Sequence, residues 1–212
     1  MTAGLRLTGV RSVVLLGAHP DDIEIGAGGL LLALGELPDL RVHYVLLTGT
    51  PARQAEARAA ATAFLPAARV SLALHDLPDG RVPARWLAAK EIVESVAAAA
   101  DADLVVAPDP DDAHQDHATL ARLVPTAFRA GLLLHYEIPK WDGDLNRRNV
   151  YLPLTEERVR RKAALLRGCY PSQAGRDWWD EEVFLGLARL RGMECRSRYA
   201  EAYRCDKAVV TL

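Results

Sequence analysis

The chain has 212 residues, half of them hydrophobic and a quarter charged, with a formal net charge of −2. That length supports one α/β domain with a sizeable core, and the composition excludes a collagen, a coiled coil and wholesale disorder. A charge so close to neutral argues against a protein whose main work is gripping phosphate backbones, so no nucleic-acid partner is expected. Cys169, Cys195 and Cys205 form no CxxC pair and read as reduced thiols. The N-terminus lacks the apolar core of a secretory signal, and no run of about 20 apolar residues occurs. A cytoplasmic protein without a transmembrane segment is therefore expected.

The hydrophobic pattern changes period along the chain. Residues 12–16 are a β-branched and leucine run, the mark of a strand buried on both faces. Residues 26–37, small and apolar, read as a helix packed on a sheet. Strand follows at 41–47, an alanine-rich helix at 53–65, strand at 69–74 and helix within 82–100. Strand returns at 103–107, helix at 117–130 and strand at 132–138. This alternation predicts a mainly parallel sheet with helices on both faces. The C-terminal third is less regular. Thr155 reads as the cap of a helix opening on Glu156 and Glu157. Residues 172–176 read as loop, 178–191 as helix, and 205–212 as a candidate edge strand. Trp178 and Trp179 could form a lid or an oligomer contact, with buried core as the default. No repeat or linker divides the chain, so 1–212 is expected to be a single domain.

Two segments carry chemistry. The first, Ala18-His19-Pro20-Asp21-Asp22, follows the first strand. In an open parallel sheet the loops at the carboxyl ends of strands line the ligand crevice. His and Asp together suit a borderline divalent metal, and adjacent aspartates can divide the work between ligand and general base. The bland alternative is that one aspartate caps the next helix. The glycines at 26, 28 and 29 lack G-x-G-x-x-G spacing and follow the acidic pair, so they read as close-packing residues rather than a nucleotide turn.

The second segment, Asp109 to His117, holds two histidines and four aspartates within nine residues. It follows the fourth strand and belongs on the same rim. His114 and His117 are three apart, so either could complete a His/Asp/His site with an open position for water. The bland alternative is a solvated acidic loop. Three of six histidines falling beside aspartates on two converging loops argues against coincidence.

Together the segments Ala18-His19-Pro20-Asp21-Asp22 and His114-Gln115-Asp116-His117 resemble the PIG-L, or LmbE-like, family of zinc-dependent de-N-acetylases. Weaker similarities run through Arg53–Ala57, Leu77–Gly80, Tyr136–Lys140, Ser172-Gln173 and Tyr199–Tyr203. The resemblance implies a Rossmann-like α/β sandwich. It implies His19, Asp22 and His117 as ligands of zinc, with iron(II) or another divalent metal as the alternative. It implies Asp21 as general base on the attacking water. His114, protonated, would hold the oxyanion or assist the leaving amine, and Asp116 would orient a histidine.

On the substrate side, Arg53 at the rim could grip a phosphate or sugar hydroxyls, or simply pair with Glu56. Asp79 could accept from sugar hydroxyls or serve its Pro-Asp-Gly turn. Lys140 and Trp141 open a polar-aromatic loop, and Trp141 could stack on a pyranose face. The expected activity is removal of acetyl from an N-acetylated amino sugar or its conjugate, a small-molecule partner. The alternatives are a non-catalytic nucleotide- or sugar-binding module, or a metal hydrolase of another amide or ester. The sequence leaves a homo-oligomer open.

Overall fold

The computed structural model describes residues 4–209 of the chain. The first strand, β1 (Ser12–Gly17), is buried along its whole length. Val13 and Leu15 enter one core cluster while Val14 and Leu16 enter another, as a two-faced strand requires. Six further strands follow: β2 (Arg41–Thr48), β3 (Arg69–Leu77), β4 (Leu104–Pro108), β5 (Leu132–Tyr136), β6 (Val150–Leu154) and β7 (Tyr199–Arg204). They form one sheet in the order β3-β2-β1-β4-β5-β7-β6. Strands β1 to β5 pair in parallel, and β7 runs antiparallel to both β5 and β6.

Six helices cover the sheet: α1 (Asp22–Leu34), α2 (Pro51–Phe64), α3 (Trp86–Ala99), α4 (Gln115–Ala127), α5 (Glu156–Cys169) and α6 (Glu181–Glu194). α1, α2, α5 and α6 pack on one face through residues such as Ile23, Leu31, Phe64, Leu166 and Phe184. α3 and α4 pack on the other through Val93, Leu120 and Val124. Thr155 caps α5 as its sequence predicts, accepting from Arg158 N at 3.1 Å. Among the described residues no helix is long and apolar enough to cross a membrane.

Two strands differ from expectation. The last strand lies at Tyr199–Arg204, inside the sheet, whereas the sequence pattern placed an edge strand at 205–212. Residues 205–209 carry no strand, and 210–212 lie outside the described residues. The charged Glu201 interrupts the apolar run and hides a strand that is in fact buried on both faces. β6 was not expected; its Pro153 is tolerated because β6 is the sheet edge.

Helix α1 begins at Asp22, four residues before the apolar run suggests, and is interrupted at Ala27 (φ −135°, ψ 17°). A buried ion pair fills the break. Lys162 Nζ donates to Ile25 O at 2.6 Å and to Glu201 Oε1 at 2.7 Å. Glu201 accepts from Gly29 N at 2.6 Å and Leu30 N at 2.8 Å, capping the second half of the helix. The glycines here are packing residues: a Cβ on Gly26 would strike the Tyr136 ring, and one on Gly29 would stand 2.7 Å from Leu154.

Candidate active site

Strand order reverses between β1 and β4, and at that switch point the loops leaving the two strands diverge from the sheet and face one another. The loop after β1 carries His19, Asp21 and Asp22; the loop after β4 carries Asp112 and His114 and leads into α4. This helix starts at Gln115, earlier than the expected 117, with His114 as its N-cap. Asp116 and His117 thus sit in its first turn.

Three side chains converge here. His19 Nδ1 lies 3.0 Å from His117 Nε2, Asp22 Oδ1 lies 3.2 Å from His117 Nε2, and Asp22 Oδ2 lies 3.5 Å from His19 Nδ1. Each ring has its other nitrogen committed. His19 Nε2 faces Asp116 Oδ2 at 3.2 Å and Asp79 Oδ1 at 3.1 Å, and His117 Nδ1 faces Asp112 Oδ2 at 2.9 Å. Carboxylates only accept from neutral imidazole, so both outer nitrogens carry the hydrogen and both inner ones present lone pairs. Two lone pairs and a carboxylate oxygen then point at one place with no donor among them, an arrangement that a cation satisfies. The separations match the edge of a tetrahedron, about 3.3 Å for ~2.0–2.1 Å bonds. The ring nitrogens of His19, His114 and His117 also lie within 4.8 Å of one another. In the metal-free chain a proton meets the same need. Burial pulls His117 down, but Asp22 and Asp112 outweigh it and raise the group to about 9.

Asp22 does not cap α1; its Oδ2 accepts from Ala18 N at 2.9 Å and His19 N at 2.8 Å, which folds the loop around it. Asp21 occupies the cap position but makes no capping bond, and its backbone is held at φ 104°. An L-residue there is strained, by roughly 1–3 kcal/mol. The strain turns the Asp21 carboxylate toward Arg53, whose Nη2 donates to Asp21 Oδ2 at 2.9 Å and also to Pro20 O. Burial raises the Asp21 pKa, Arg53 offsets part of the rise, and the result is about 7.

His114 stacks on His117, ring centroids 4.5 Å apart. Its Nδ1 accepts from Asp116 N at 3.3 Å, so Nε2 carries the hydrogen. Burial, then His117 and His19, hold its pKa below the ordinary value. Asp116, fully buried, accepts from Gly80 N and Val82 N at 2.7 and 3.0 Å as well as from His19.

These groups floor a cleft of about 400 Å³ whose walls include Arg53, Asp79, Trp141, Ser172, Arg176 and Trp178. Asp79 is exposed at the rim. Arg53 is engaged by its own chain, with Nη1 donating to Ser172 Oγ at 2.7 Å and Glu56 Oε2 at 3.3 Å. Lys140, read from the sequence as a substrate contact, lines the same cleft and pairs there with Asp112 at 2.9 Å, Asp144 at 3.2 Å and Asp142 at 3.4 Å.

Residues 14–128, more than half of the chain, match the family described as PIG-L, GlcNAc-PI de-N-acetylase. The chain belongs to the PIG-L family. Solved structures with the same fold include the N,N′-diacetylchitobiose deacetylase of Pyrococcus horikoshii, 20% identical over 93% of this chain and 84% of that one, with a TM-score of 0.73. The 4-carboxy-2-hydroxymuconate hydratase of Pseudomonas putida is 19% identical over 95% and 98% of the two chains, with a TM-score of 0.74. The zinc-inhibited form of a teicoplanin deacetylase is 14% identical over 93% and 100%, with a TM-score of 0.67. At such identities the likeness establishes the fold.

Within this PIG-L fold one important side chain escaped the sequence reading. Asp112 stood among three aspartates of equal promise, yet it alone binds the His117 ring, the His114 N–H (2.7 Å) and Lys140. Asp109 instead joins a buried network with Arg148, Glu137 and Arg191. Asp111 pairs at the surface with Arg204. Arg176, which has no motif of its own, was missed as a cleft residue, and Trp178 lines the cleft where core was the default reading.

Proposed function

We propose that this protein is a metal-dependent de-N-acetylase that removes acetyl from an N-acetylated amino sugar or its conjugate. The observation that carries the reading is the convergence of the His19, Asp22 and His117 acceptor atoms beside a buried, strained Asp21 at the floor of an open cleft. The hydratase neighbour shares this fold with different chemistry, so the site and the family, rather than the fold, support the reaction. His19, Asp22 and His117 are the proposed ligands, with zinc as the native metal. Zinc bound there supplies Lewis acidity for water and for the acetamide carbonyl.

Asp21 takes the proton from the attacking water. With a pKa of about 7 it can accept that proton and give it up again near neutrality. Arg53 fixes the carboxylate. His114 Nε2–H donates to the carbonyl oxygen as negative charge gathers on it. The C–N bond then breaks, the nitrogen leaves with the proton carried by Asp21, and acetate remains. Asp116 keeps the His19 ring turned, as Asp112 does for His117. Asp79 and Trp141 are proposed sugar contacts, while Lys140 holds Asp112 in place. We read the chain as one catalytic domain. A cytoplasmic location fits its three free thiols, Cys169, Cys195 and Cys205.

The test is metal analysis of the purified protein with amine release over a panel of N-acetylated sugars, nucleotide sugars and glycosides. About one zinc per chain is expected. Asp21→Asn should keep the metal and lose amine release, and His19→Ala and His117→Ala should lose the metal. Full metal content and activity in both alanine variants, or no amine from any compound with the metal bound, would sink the reading.

A further inference from the structure

The mouth of the cleft carries aromatic surface that takes no part in the proton transfers. Trp141, in the loop after β5, is 64% exposed. A side chain so exposed is ordinarily free to change rotamer, but this one is fastened. Its Nε1–H donates to Asp177 Oδ1 at 2.9 Å, bridging to the loop before α6. Trp178 sets its ring at 76° to that of Trp141, centroids 5.9 Å apart. Trp178 is in turn backed by Trp179, which packs edge-on against it at 5.6 Å, against Tyr170 at 6.0 Å and against Phe184 at 5.4 Å. The front ring is therefore exposed yet fixed, and the second ring is anchored to the core.

Packing alone does not call for an indole at 178. Its Nε1 is buried and has no hydrogen-bond partner. An unsatisfied donor costs roughly 1–3 kcal/mol, which phenylalanine or leucine would avoid. What the indole adds is a large flat face on the cleft wall. Arg176 lines the same wall and makes no ion pair among the described residues. At about 400 Å³ the cleft is also larger than an acetamide group needs, within the ~300–1,000 Å³ of sites for drug-sized ligands.

We propose that Trp141, Trp178 and Arg176 form a second sugar subsite, which takes a pyranose ring glycosidically linked to the N-acetylated sugar. The apolar C–H face of a pyranose lies flat on an indole, a perpendicular second indole closes one side, and a guanidinium fork meets the ring hydroxyls. The proposal rests on the deacetylase reading for its orientation, since the acetamide must reach the histidine floor. The Trp141–Asp177 hydrogen bond pre-organises the corner, so less rotamer freedom is lost on binding.

The test is calorimetric titration of zinc-loaded Asp21→Asn protein, which leaves substrate intact. The ligands are N,N′-diacetylchitobiose and the methyl and phenyl β-glycosides of N-acetylglucosamine. The disaccharide should bind about tenfold tighter than the methyl glycoside, the scale of one aromatic contact. Adding Trp141→Ala, which truncates an exposed side chain, should bring that ratio to about one. Adding Asp177→Ala should reduce it in part. Equal affinities in the parent, or a ratio that persists without Trp141, would overturn the subsite. So would tighter binding of the phenyl glycoside than of the disaccharide, which would assign the corner to aromatic groups. Amine release from the methyl glycoside by the wild-type enzyme judges the reaction separately. Release without disaccharide preference refutes the subsite alone, and preference without release refutes the chemistry and keeps the subsite.

Discussion

Replacing Glu24 with glutamine should stabilise the protein, by an amount that grows as pH rises from about 4.5 to about 7. Glu24 lies in the first turn of α1 and is wholly buried. Its carboxylate accepts from Tyr44 OH at 3.0 and 3.2 Å and from Tyr170 OH at 2.7 Å, and no cation among the described residues pairs with it. Burial drives its pKa from the ordinary 4.5 up to about 7, the two tyrosyl hydrogen bonds offsetting part of the rise. An acid whose folded pKa is raised favours the folded state fully below its unfolded pKa and loses that contribution as pH climbs through the folded value. At 1.36 kcal/mol per tenfold change, the interval from 4.5 to about 7 is worth about 3 kcal/mol. Glutamine keeps the shape, can accept from one tyrosine and donate to the other, and never ionises. Urea unfolding of metal-free wild type and Glu24→Gln should give similar stabilities near pH 4.5. The variant should be ahead by about 3 kcal/mol near pH 8. A difference that is flat with pH, or that grows in favour of the wild type, would refute the reasoning.

Two further outcomes follow from the site. Asp112→Asn removes the carboxylate that receives the His117 Nδ1 hydrogen, so zinc affinity measured by chelator competition should fall about 10–100-fold; unchanged affinity would show that the ring holds its orientation alone. Arg53→Met takes away the cation that restrains the Asp21 pKa, so the acid limb of the kcat/KM profile should move to higher pH, and an unmoved limb would exclude Asp21 as the base.

The two histidine–aspartate loops were legible in the sequence because metal chemistry restricts residue type so strongly, and because strand alternation puts both loops on one rim. The ring-orienting role of Asp112 was not. It depends on α4 starting at Gln115, which brings an aspartate five residues before His117 within reach of Nδ1, and no local pattern separates Asp112 from Asp109 or Asp111. The partner of Lys140 was hidden for a related reason: its neighbours in sequence look like an open loop, while Asp112 arrives from the segment after another strand. The fold was readable where periodicity is strong, from β1 through β5. It was obscured at β7, where a buried glutamate breaks the apolar run in order to serve a helix far away in sequence.

The break in α1 ties the beginning of the chain to its end. The N–H groups of Gly29 and Leu30 find their acceptor only when Glu201 arrives, 172 and 171 residues later. During synthesis the first strand and the His19–Asp22 loop emerge early. The helix that carries Asp22 nevertheless cannot close its hydrogen bonding until the last strand has left the ribosome and inserted between β5 and β6. Long-range closure of this kind is slow and leaves intermediates open. A chain stalled or cut before residue 199 would therefore bear the metal-binding motifs without a finished helix to hold them. Metal capture should accordingly wait for the strand at Tyr199–Arg204.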